Sequence, residues 1–344
     1  MRPSFFHHLH PPSIPASQAR FRYTLGAGGL AVFLVLILGL TGILEVFYYI
    51  PTPEQAAPSI QTLTFLVPFG GLVRNLHYWA AQFLVIVSLV HLLRVVFTGA
   101  YGPPRRFNYL LGMGLFVLTI LLDFTGYVLR WDAGIHWALV TGTNLLKSIP
   151  LIGNALYASL VGGDQPGAAT LVRFYGWHIF GLALAAGILV VWHSFRVRRD
   201  GGIAVPPPPL RKTQERISRY TLVRREVLAM LLASVVLLIL SVFAPAPLAA
   251  PLSPTSALPE TARAPWFFLW VQELLKLGSP FFWGVVVPLG ILVLFTLFPY
   301  ILPKPSHSEL GQWFPKGNRL AQILAIFILL SLLVITLLAL LPNP

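Results

Sequence analysis

Seven long, continuous apolar runs constrain this 344-residue chain more than any other feature of its sequence. A run of about 18 or more apolar residues, wound as an α-helix, crosses about 30 Å of hydrocarbon. A membrane β-barrel would instead alternate apolar and polar residues, and these runs do not. We therefore predict an all-α, polytopic membrane protein. Its predicted spans cover residues 25–50, 76–98, 109–130, 174–195, 227–247, 281–302 and 320–341.

The composition excludes several other classes of protein. Only 10% of the residues are charged, whereas a soluble globular protein has about 25%. The chain has no cysteine, which excludes disulfides, thiolate metal sites and cofactors attached through a cysteine thioether. The net charge of +13 comes from basic residues in the loops between the apolar runs. Such charge is typical of membrane topology signals, so we expect no nucleic-acid partner.

The basic residues are distributed unequally between alternate loops. If the N-terminus faces the cytoplasm, 18 of the 24 Lys and Arg residues lie on the cytoplasmic side and 6 on the other side. Cytoplasmic loops of membrane proteins carry such an excess. We predict a cytoplasmic N-terminus, on the negative side, and a C-terminus on the positive side. No cleavage pattern follows the first run, so we expect it to be kept as a membrane helix.

A basic, proline-rich stretch divides the chain into two parts. Four consecutive prolines at 206–209 predict a stiff, extended linker. The predicted division is an N-terminal cytoplasmic segment at 1–24, a four-span domain at 25–202, the linker at 203–226 and a three-span domain at 227–344. We expect the first domain to be a four-helix bundle, followed by three further transmembrane helices.

The second and fourth predicted spans each contain two histidines separated by about four helical turns. His91 is the fourteenth residue after His77, and His193 is the fifteenth residue after His178. At about 100° and 1.5 Å per residue, the two histidines of each helix share one face and lie about 21 Å apart. Both spans run from the outer side to the cytoplasmic side. His77 is therefore expected to meet His178 near the outer side, and His91 to meet His193 deeper in the membrane.

Two pairs of imidazoles in an apolar, thiol-free setting favour haem iron. A low-spin electron-transfer haem takes a ligand on each face of its ring, and imidazole suits iron. A single intramembrane histidine is more often a satisfied polar group or part of a proton relay, but two matched pairs are not explained that way. We predict two b-type haems, about 20 Å apart, with His77, His178, His91 and His193 as the iron ligands.

Glycines in the first and third spans repeat the spacing of the first histidine pair. Gly42 is the fourteenth residue after Gly28, and Gly126 is the fourteenth after Gly112. A glycine lets the backbone approach a rigid haem closely, so we predict these four residues at the two haem levels.

Arginines near the ends of the histidine-bearing spans are candidates for binding haem propionates. Propionates are anionic and lie near the membrane surfaces, where a guanidinium can neutralise them. We predict this role for Arg74, Arg94 and Arg173, and we include Arg198 among the cofactor-binding residues. Ordinary topology-determining charge is the alternative explanation, and it applies most readily to Arg94.

Several segments of the chain resemble cytochrome b of quinol-oxidising cytochrome bc complexes, and most closely the b6 type. The resemblance is dense over residues 25–202. It is looser over 224–341, where three spans resemble the separate small subunit of the b6-type complex, here fused to the first part. The longer spacing of the second histidine pair is the b6-type spacing. The segments that carry the resemblance are 71–77 (GLVRNLH), 91–94 (HLLR), 124–132 (FTGYVLRWD), 149–153 (IPLIG) and 173–178 (RFYGWH).

The resemblance implies a redox function within a larger assembly. Quinol would be oxidised near the outer surface, passing one electron to a Rieske iron–sulfur protein and the other through the haems to a quinone site near the cytoplasm. Further expectations are c-type cytochrome subunits, a dimeric assembly, and an energy-transducing membrane of bacterial or organellar type. The b6 type attaches an extra haem through a cysteine, which this chain lacks, so no covalent haem is expected.

The outer quinol site departs from the family's pattern. The family has Pro-Glu-Trp-Tyr there, and the glutamate accepts a quinol proton, whereas residues 264–267 here read Ala-Pro-Trp-Phe. Trp266 keeps its place, and Tyr127 is a second candidate for the catalytic site. Glu273 is the seventh residue after Trp266, about two helical turns away, and is our candidate for the replacement proton acceptor. A plain surface carboxylate is an equally good explanation of Glu273.

Two further residues are unusual. Arg130 stands where the family usually has a proline, and it is expected to bind a propionate or to reshape the outer site. Asp123 is a carboxylate inside the third span, for which a hydrogen bond within the bundle and a proton path are the two explanations.

Two functional hypotheses remain in view. The first is the cytochrome b subunit of a quinol:electron-acceptor oxidoreductase, active together with partner subunits. The second is a dihaem membrane anchor that links the quinone pool to a non-Rieske partner, such as a multihaem cytochrome or a molybdenum enzyme, with an altered or absent outer site. The substitution at Pro265 favours the second. A transporter or a purely structural subunit would leave four matched histidines unexplained.

Overall fold

The computed structural model describes residues 12–16, 21–200, 215–251 and 263–341. Most of the predicted N-terminal segment and the proline run at 206–209 lie outside the described residues. Within them, seven helices are long and apolar enough to cross a membrane, which confirms the predicted all-α, seven-span class. The elements in chain order are β1 (Ser13–Pro15), α1 (Phe21–Thr24), α2 (Ala27–Val46), α3 (Ala56–Phe65), α4 (Gly70–Phe97), α5 (Arg106–Leu129), α6 (Ala133–Lys147), α7 (Gly153–Val161), α8 (Ala168–Arg199), β2 (Arg216–Ser218), α9 (Arg219–Phe243), α10 (Leu269–Leu274), α11 (Phe282–Ile301) and α12 (Arg319–Leu338).

The seven spans are α2, α4, α5, α8, α9, α11 and α12. Short 3-10 turns punctuate the connections at Trp266–Phe268, Leu275–Leu277, His307–Glu309 and Lys316–Asn318. Only 11–33% of the most apolar stretch of each span is buried within the protein. The remaining apolar side chains suit contact with lipid, because no water-facing surface of this composition would be stable.

Several spans begin earlier than the sequence predicts, among them α8, which begins at Ala168 rather than at 174. α4 begins at Gly70 rather than at 76, so Arg74 and His77 lie inside the helix and not at its edge. α9 begins at Arg219 rather than at 227. Its start follows from a cap, since the Ser218 side chain accepts a hydrogen bond from the Tyr220 backbone N–H. The charged residues that favoured a linker therefore form the first turns of α9.

The first four spans form a bundle, in which α2 packs along α4 and α5 packs along α8. The three later spans pack against the outside of this bundle, mainly through α4 and α5. Side chains of the bundle bond directly to the added helices. Asn75 donates to the Ser241 carbonyl at 2.8 Å, and Tyr109 donates to the Phe295 carbonyl at 2.8 Å. The described residues of the two predicted domains therefore share one packed interior.

The connections separate into two ends. At one end β1 pairs antiparallel with β2, and Trp313 donates to the Arg22 carbonyl at 2.8 Å. At the other end Asp132 and Pro251 form an isolated bridge. We call these the inner end and the outer end. The alternation agrees with the span order, while the assignment of the inner end to the cytoplasm stays a prediction.

Candidate cofactor cavity

A cavity of about 1110 Å³ runs through the four-span bundle from the outer end to the inner end. Pockets for one small molecule usually measure about 300–1,000 Å³, so this cavity is large even for a cofactor. All four predicted histidines and all four predicted glycines line it. The structure thus brings together residues from α2, α4, α5 and α8, as the bundle prediction requires.

The histidines face each other across the cavity in the predicted pairs. The ring centroids of His77 and His178 are 6.3 Å apart, and those of His91 and His193 are also 6.3 Å apart. A metal ion held between two imidazoles needs about 2.0 Å to each nitrogen and about 1.1 Å from nitrogen to ring centre, which separates the centroids by about 6.2 Å. Each pair would therefore have room to hold a haem iron between its two imidazoles.

Hydrogen bonds at the outer pair fix which ring nitrogen faces the cavity. Thr41 Oγ1 lies 2.9 Å from His77 Nδ1, and it donates its own hydrogen to the Ile37 carbonyl. A hydroxyl has one hydrogen, so Thr41 must accept from the ring, which makes Nδ1 the protonated nitrogen of His77. Nε2 then keeps a lone pair for a metal.

The same arrangement holds on the opposite side. Thr125 Oγ1 lies 3.0 Å from His178 Nδ1 and donates to the Leu121 carbonyl. His178 is therefore also protonated on Nδ1, with Nε2 free to bind iron. The two imidazoles of the outer pair are oriented as a pair of metal ligands by the helices beside them.

The inner pair is held differently. His193 Nδ1 lies 3.1 Å from the Asn108 carbonyl, which again makes Nδ1 the donor. His91 Nδ1 is buried and has no hydrogen-bond partner among the described residues. The outer pair thus has two acceptors for its Nδ1 hydrogens, and the inner pair has one.

Each predicted glycine lies against a histidine ring. A Cβ at Gly42 would lie 3.2 Å from Cε1 of His77, and a Cβ at Gly126 would lie 2.9 Å from Cε1 of His178. At the inner level Gly28 faces His91 at 3.3 Å and Gly112 faces His193 at 3.2 Å. The glycines let α2 and α5 approach the imidazoles closely. Their predicted approach to the haems themselves stays a prediction.

A π-helical turn at Trp177–Gly181 explains the unequal histidine spacings. Four α-helical turns contain about 14.4 residues, so a separation of fourteen fits four turns slightly better than one of fifteen does. A π turn takes up one extra residue without breaking the helix. His178 lies in this turn, and the added residue lets His178 and His193 match the levels of His77 and His91.

The predicted arginines are placed unequally. Arg74 lines the outer part of the cavity and donates to the carbonyls of Ala246 and Pro247 at 3.1 and 2.6 Å. Arg94 lines the inner part, where its Nε donates to the Tyr23 carbonyl and its Nη2 is buried without a hydrogen-bond partner among the described residues. Arg198 also lines the inner part. Arg173 does not line the cavity, because it is exposed and its Nη1 donates to the carbonyls at 158 and 159.

Carboxylates line the cavity at three depths. Glu45, on α2 at the outer end, is the electrostatic neighbour of Arg74, and its Oε1 has no partner among the described residues. Asp123 accepts from Gln82 Nε2 at 3.1 Å, which is the hydrogen bond within the bundle that was one of its two explanations. Glu226, on α9 at the inner end, lies against Gly29.

Sequence reasoning missed Glu45 and Glu226 for different reasons. Glu45 is the only carboxylate of its span, and an intramembrane carboxylate is itself a signal of function. Glu226 was placed in the linker, because the start of α9 was set too late.

The predicted outer quinol residues lie in two different surroundings. Tyr127 lines the cavity, and its ring centroid is 6.1 Å from that of Phe267. Trp266 Nε1 donates to Gln82 Oε1 at 2.6 Å, which extends the Gln82–Asp123 contact to the outer loop. Glu273 does not line the cavity. Its Oε2 lies 2.7 Å from Lys276 Nζ in an ion pair.

Arg130 forms an ion pair with Asp132 at 2.8 Å beside the outer end of the cavity, which it lines. Its guanidinium also lies over the Tyr127 ring, 5.7 Å from the centroid. Arg130 therefore joins Asp132, the N-cap of α6, to an aromatic residue of the cavity. Of its two predicted roles, this contact agrees with reshaping the outer site.

Comparisons with known proteins give the same family over about half of the chain. The family model "Cytochrome b(N-terminal)/b6/petB" matches residues 82–251. Cytochrome b6 of Heliomicrobium gestii is 37% identical over 192 residues, which are 56% of this chain and 88% of the relative. The menaquinol:cytochrome c reductase cytochrome b subunit of Geobacillus thermodenitrificans is 38% identical over 175 residues, 51% of this chain and 78% of the relative.

The fold is similar to a solved respiratory structure over nearly its whole length. The chain matches one described as a hyperthermophilic respiratory Complex III with a TM-score of 0.79, covering 93% of this chain and 85% of that one, at 21% identity. That similarity extends the fold to the three later spans. Because the sequence relatives are 37–38% identical and are themselves covered over 78–88% of their lengths, this chain belongs to the cytochrome b/b6 family of membrane electron-transport proteins.

Proposed function

We propose that this chain is the dihaem cytochrome b subunit of a bc-type quinol:electron-acceptor oxidoreductase, and that it moves electrons across the membrane between two quinone sites. The observation that supports this most is that one cavity contains two pairs of facing histidines. The ring centroids within each pair are 6.3 Å apart. With this separation the two imidazoles of each pair would hold one haem, and the two levels suit two cofactors along one path.

Four imidazoles hold the two cofactors in this proposal. His77 and His178 bind at the outer level, and His91 and His193 bind at the inner level. Haem b supplies one-electron redox chemistry when it is bound there. Binding is non-covalent, since the chain has no cysteine to form a thioether. Gly28, Gly42, Gly112 and Gly126 position the ligand rings by admitting them close to the backbone.

Arginines at the two ends of the cavity neutralise anionic groups in this proposal. Arg74 and Arg94 are buried and line the cavity. Nη2 of Arg94, unpartnered among the described residues, is a donor ready for a propionate or another anion, because an unpaired buried donor is costly. Arg173 lies outside the cavity with both neighbouring carbonyls as partners, and nothing in its contacts supports the propionate role.

The inner end of the cavity suits a quinone. Arg198, Arg219 and Glu226 line it beside the first turns of α9, together with apolar side chains such as Leu222 and Met230. A quinone headgroup needs polar partners and a proton source as it is reduced, and its tail needs an apolar path to the lipid. The described residues of this end supply both kinds of surface.

The outer end carries the second quinone site in this proposal. Tyr127 lines the cavity there and contacts Phe267, while Trp266 is anchored through Gln82. Glu273 is the only carboxylate between positions 263 and 280 of the sequence, which supports it as the proton acceptor of this segment. It would have to leave Lys276 to reach a quinol, since the two are paired.

The proposed partners follow from the relatives. The Geobacillus relative is named as a subunit of a menaquinol:cytochrome c reductase. We propose a Rieske iron–sulfur protein and a c-type cytochrome as partners, a dimeric assembly, and a cytoplasmic inner end, which agrees with the excess of basic residues there.

One observation favours the alternative of a dihaem anchor for a non-Rieske partner. Pro265 and Phe267 occupy the positions where the family has the glutamate and tyrosine of its outer motif. An anchor of this kind would retain both haems and the inner quinone site while its outer site is changed or lost.

Gentle purification of the tagged chain from its native membrane, followed by identification of the associated subunits, separates the two hypotheses. A stoichiometric Rieske protein with quinol-driven reduction of the haems supports the bc-type assignment. A multihaem cytochrome or molybdenum enzyme without any Rieske protein would overturn it in favour of the anchor.

A further inference from the structure

Two threonines occupy equivalent places beside the outer histidines. Thr41 immediately precedes Gly42 on α2, and Thr125 immediately precedes Gly126 on α5. Each glycine admits a ring, and each preceding hydroxyl accepts from the Nδ1 of that same ring, at 2.9 and 3.0 Å. α2 and α5 therefore each place a Thr-Gly pair against a histidine ring, from opposite sides of the cavity.

The inner level has the glycines without the hydroxyls. Ala27 precedes Gly28, and Leu111 precedes Gly112. His91 Nδ1 consequently has no partner among the described residues, and the partner of His193 Nδ1 is a backbone carbonyl. The two levels thus differ in the residue that precedes each glycine. This residue can be replaced without changing an iron ligand.

A hydrogen-bond acceptor beside Nδ1 changes how strongly Nε2 donates electrons to iron. The hydrogen bond draws the Nδ1 hydrogen away and makes the imidazole a stronger donor, which stabilises the more positive iron and lowers the reduction potential. Two such bonds act on the outer pair and one acts on the inner pair.

We propose that Thr41 and Thr125 are positioning residues that lower the reduction potential of the outer haem. This inference rests on the proposed dihaem function. The hydroxyls also hold each ring in the orientation in which Nε2 faces the cavity.

Replacement of each hydroxyl by a methyl group tests this proposal. Thr41→Val and Thr125→Val keep the size and branching of the side chain and remove the acceptor. In each variant the midpoint potential of the outer haem should rise while that of the inner haem stays unchanged. A shift of about 59 mV corresponds to a tenfold change in a one-electron reduction equilibrium, and the double variant should shift further than either single variant.

Thr119→Val is the matched control. Thr119 lies on α5 between the two levels, lines the same cavity, and donates to the Leu115 carbonyl without contacting a histidine. Its replacement should leave both midpoints unchanged. Thr41→Ser restores a hydroxyl and should return the outer midpoint to the wild-type value, which a loss of packing alone would not do.

The readouts are haem content and midpoint potential in a spectroscopic redox titration of the purified protein. A wild-type chain that holds fewer than two haems contradicts the proposed function itself. Two bound haems with an outer midpoint unaltered in the Val variants contradict only the role of the threonines. If a Val variant lost its outer haem, the midpoints of Thr41→Ser and Thr125→Ser would test the proposal. Each Ser variant must have the wild-type midpoint of the outer haem, and a different midpoint would contradict the role of the hydroxyl.

Discussion

The rings of His178 and His193 on α8 meet the rings of His77 and His91 on α4, although the two helices space their histidines differently. The separation along α8 is one residue longer than that along α4. The π turn at Trp177–Gly181 takes up the extra residue. In a straight α-helix fifteen residues turn about 60° past four full turns, whereas fourteen turn about 40° short of them, so His178 would face a different direction from His77. The matched levels of the two pairs therefore depend on a local irregularity in one helix.

Replacement of one inner ligand should remove one cofactor only. We expect His91→Ala to lose the inner haem and to keep most of the outer haem's signal, because His77 and His178 are held by their own threonines. The measurement is haem per chain by pyridine haemochrome, with the reduced-minus-oxidised spectrum.

His136→Ala is the control for that experiment. His136 is another imidazole on the outer side, burial lowers its pKa below the usual value, and it does not line the cavity. Its variant should keep both haems. Loss of both haems from His91→Ala, or loss of one from His136→Ala, would show that haem content does not report the ligand assignment.

A methyl group at Gly126 should disturb the outer level. A Cβ there would approach His178 Cε1 to 2.9 Å, closer than carbon atoms pack, so the ring must move. We expect Gly126→Ala to lower the outer haem's content or to shift its spectrum and midpoint. Gly114→Ala on the same helix meets only a Leu189 methyl at 3.6 Å and should resemble the wild type. Equal behaviour of the two variants would contradict the close packing described for Gly126.

Glu273 is tested by a change that keeps its size. We expect Glu273→Gln to slow haem reduction by quinol while leaving reduction by dithionite unchanged, because the amide cannot take up a proton. Stopped-flow spectroscopy of the visible haem bands measures both rates. Glu54→Gln, an exposed carboxylate of an outer connection, should leave both rates unaltered. An unaltered quinol rate in Glu273→Gln removes that residue from the proton path.

The absence of cysteine from the sequence makes the orientation directly testable. A single cysteine introduced at the exposed outer-end position Gln165 should react with an impermeant maleimide in intact spheroplasts. One introduced at the exposed inner-end position Ser308 should react only after the membrane is opened. The reverse labelling pattern would invert the predicted topology.

The sequence was sufficient for the spans and for the histidine pairs, because hydropathy and helical period are local properties. The pairing of His77 with His178 needed only the direction of each span and a count of turns. The same reasoning predicted the levels of Gly42 and Gly126. It could not tell that a glycine faces an imidazole, because that contact depends on the distance between two helices.

Other features depend on more than local sequence. Arg173 shares the side and spacing of a propionate ligand, but carbonyls of α7 at 158 and 159 accept its hydrogens. The capping of α9 by Ser218 brought Glu226 into the membrane part of the chain. The role of Thr41 and Thr125 could have been predicted from the sequence, since each directly precedes a glycine at the outer level. It was missed because a hydroxyl in a helix usually bonds only to the backbone of its own helix.

In the proposed function one chain holds two b-type haems at two levels of one cavity. A redox titration of the purified protein, followed in the visible spectrum and normalised to protein concentration, tests it most directly. We expect two haems per chain that titrate with two different midpoint potentials. A single haem per chain, or none, would contradict it.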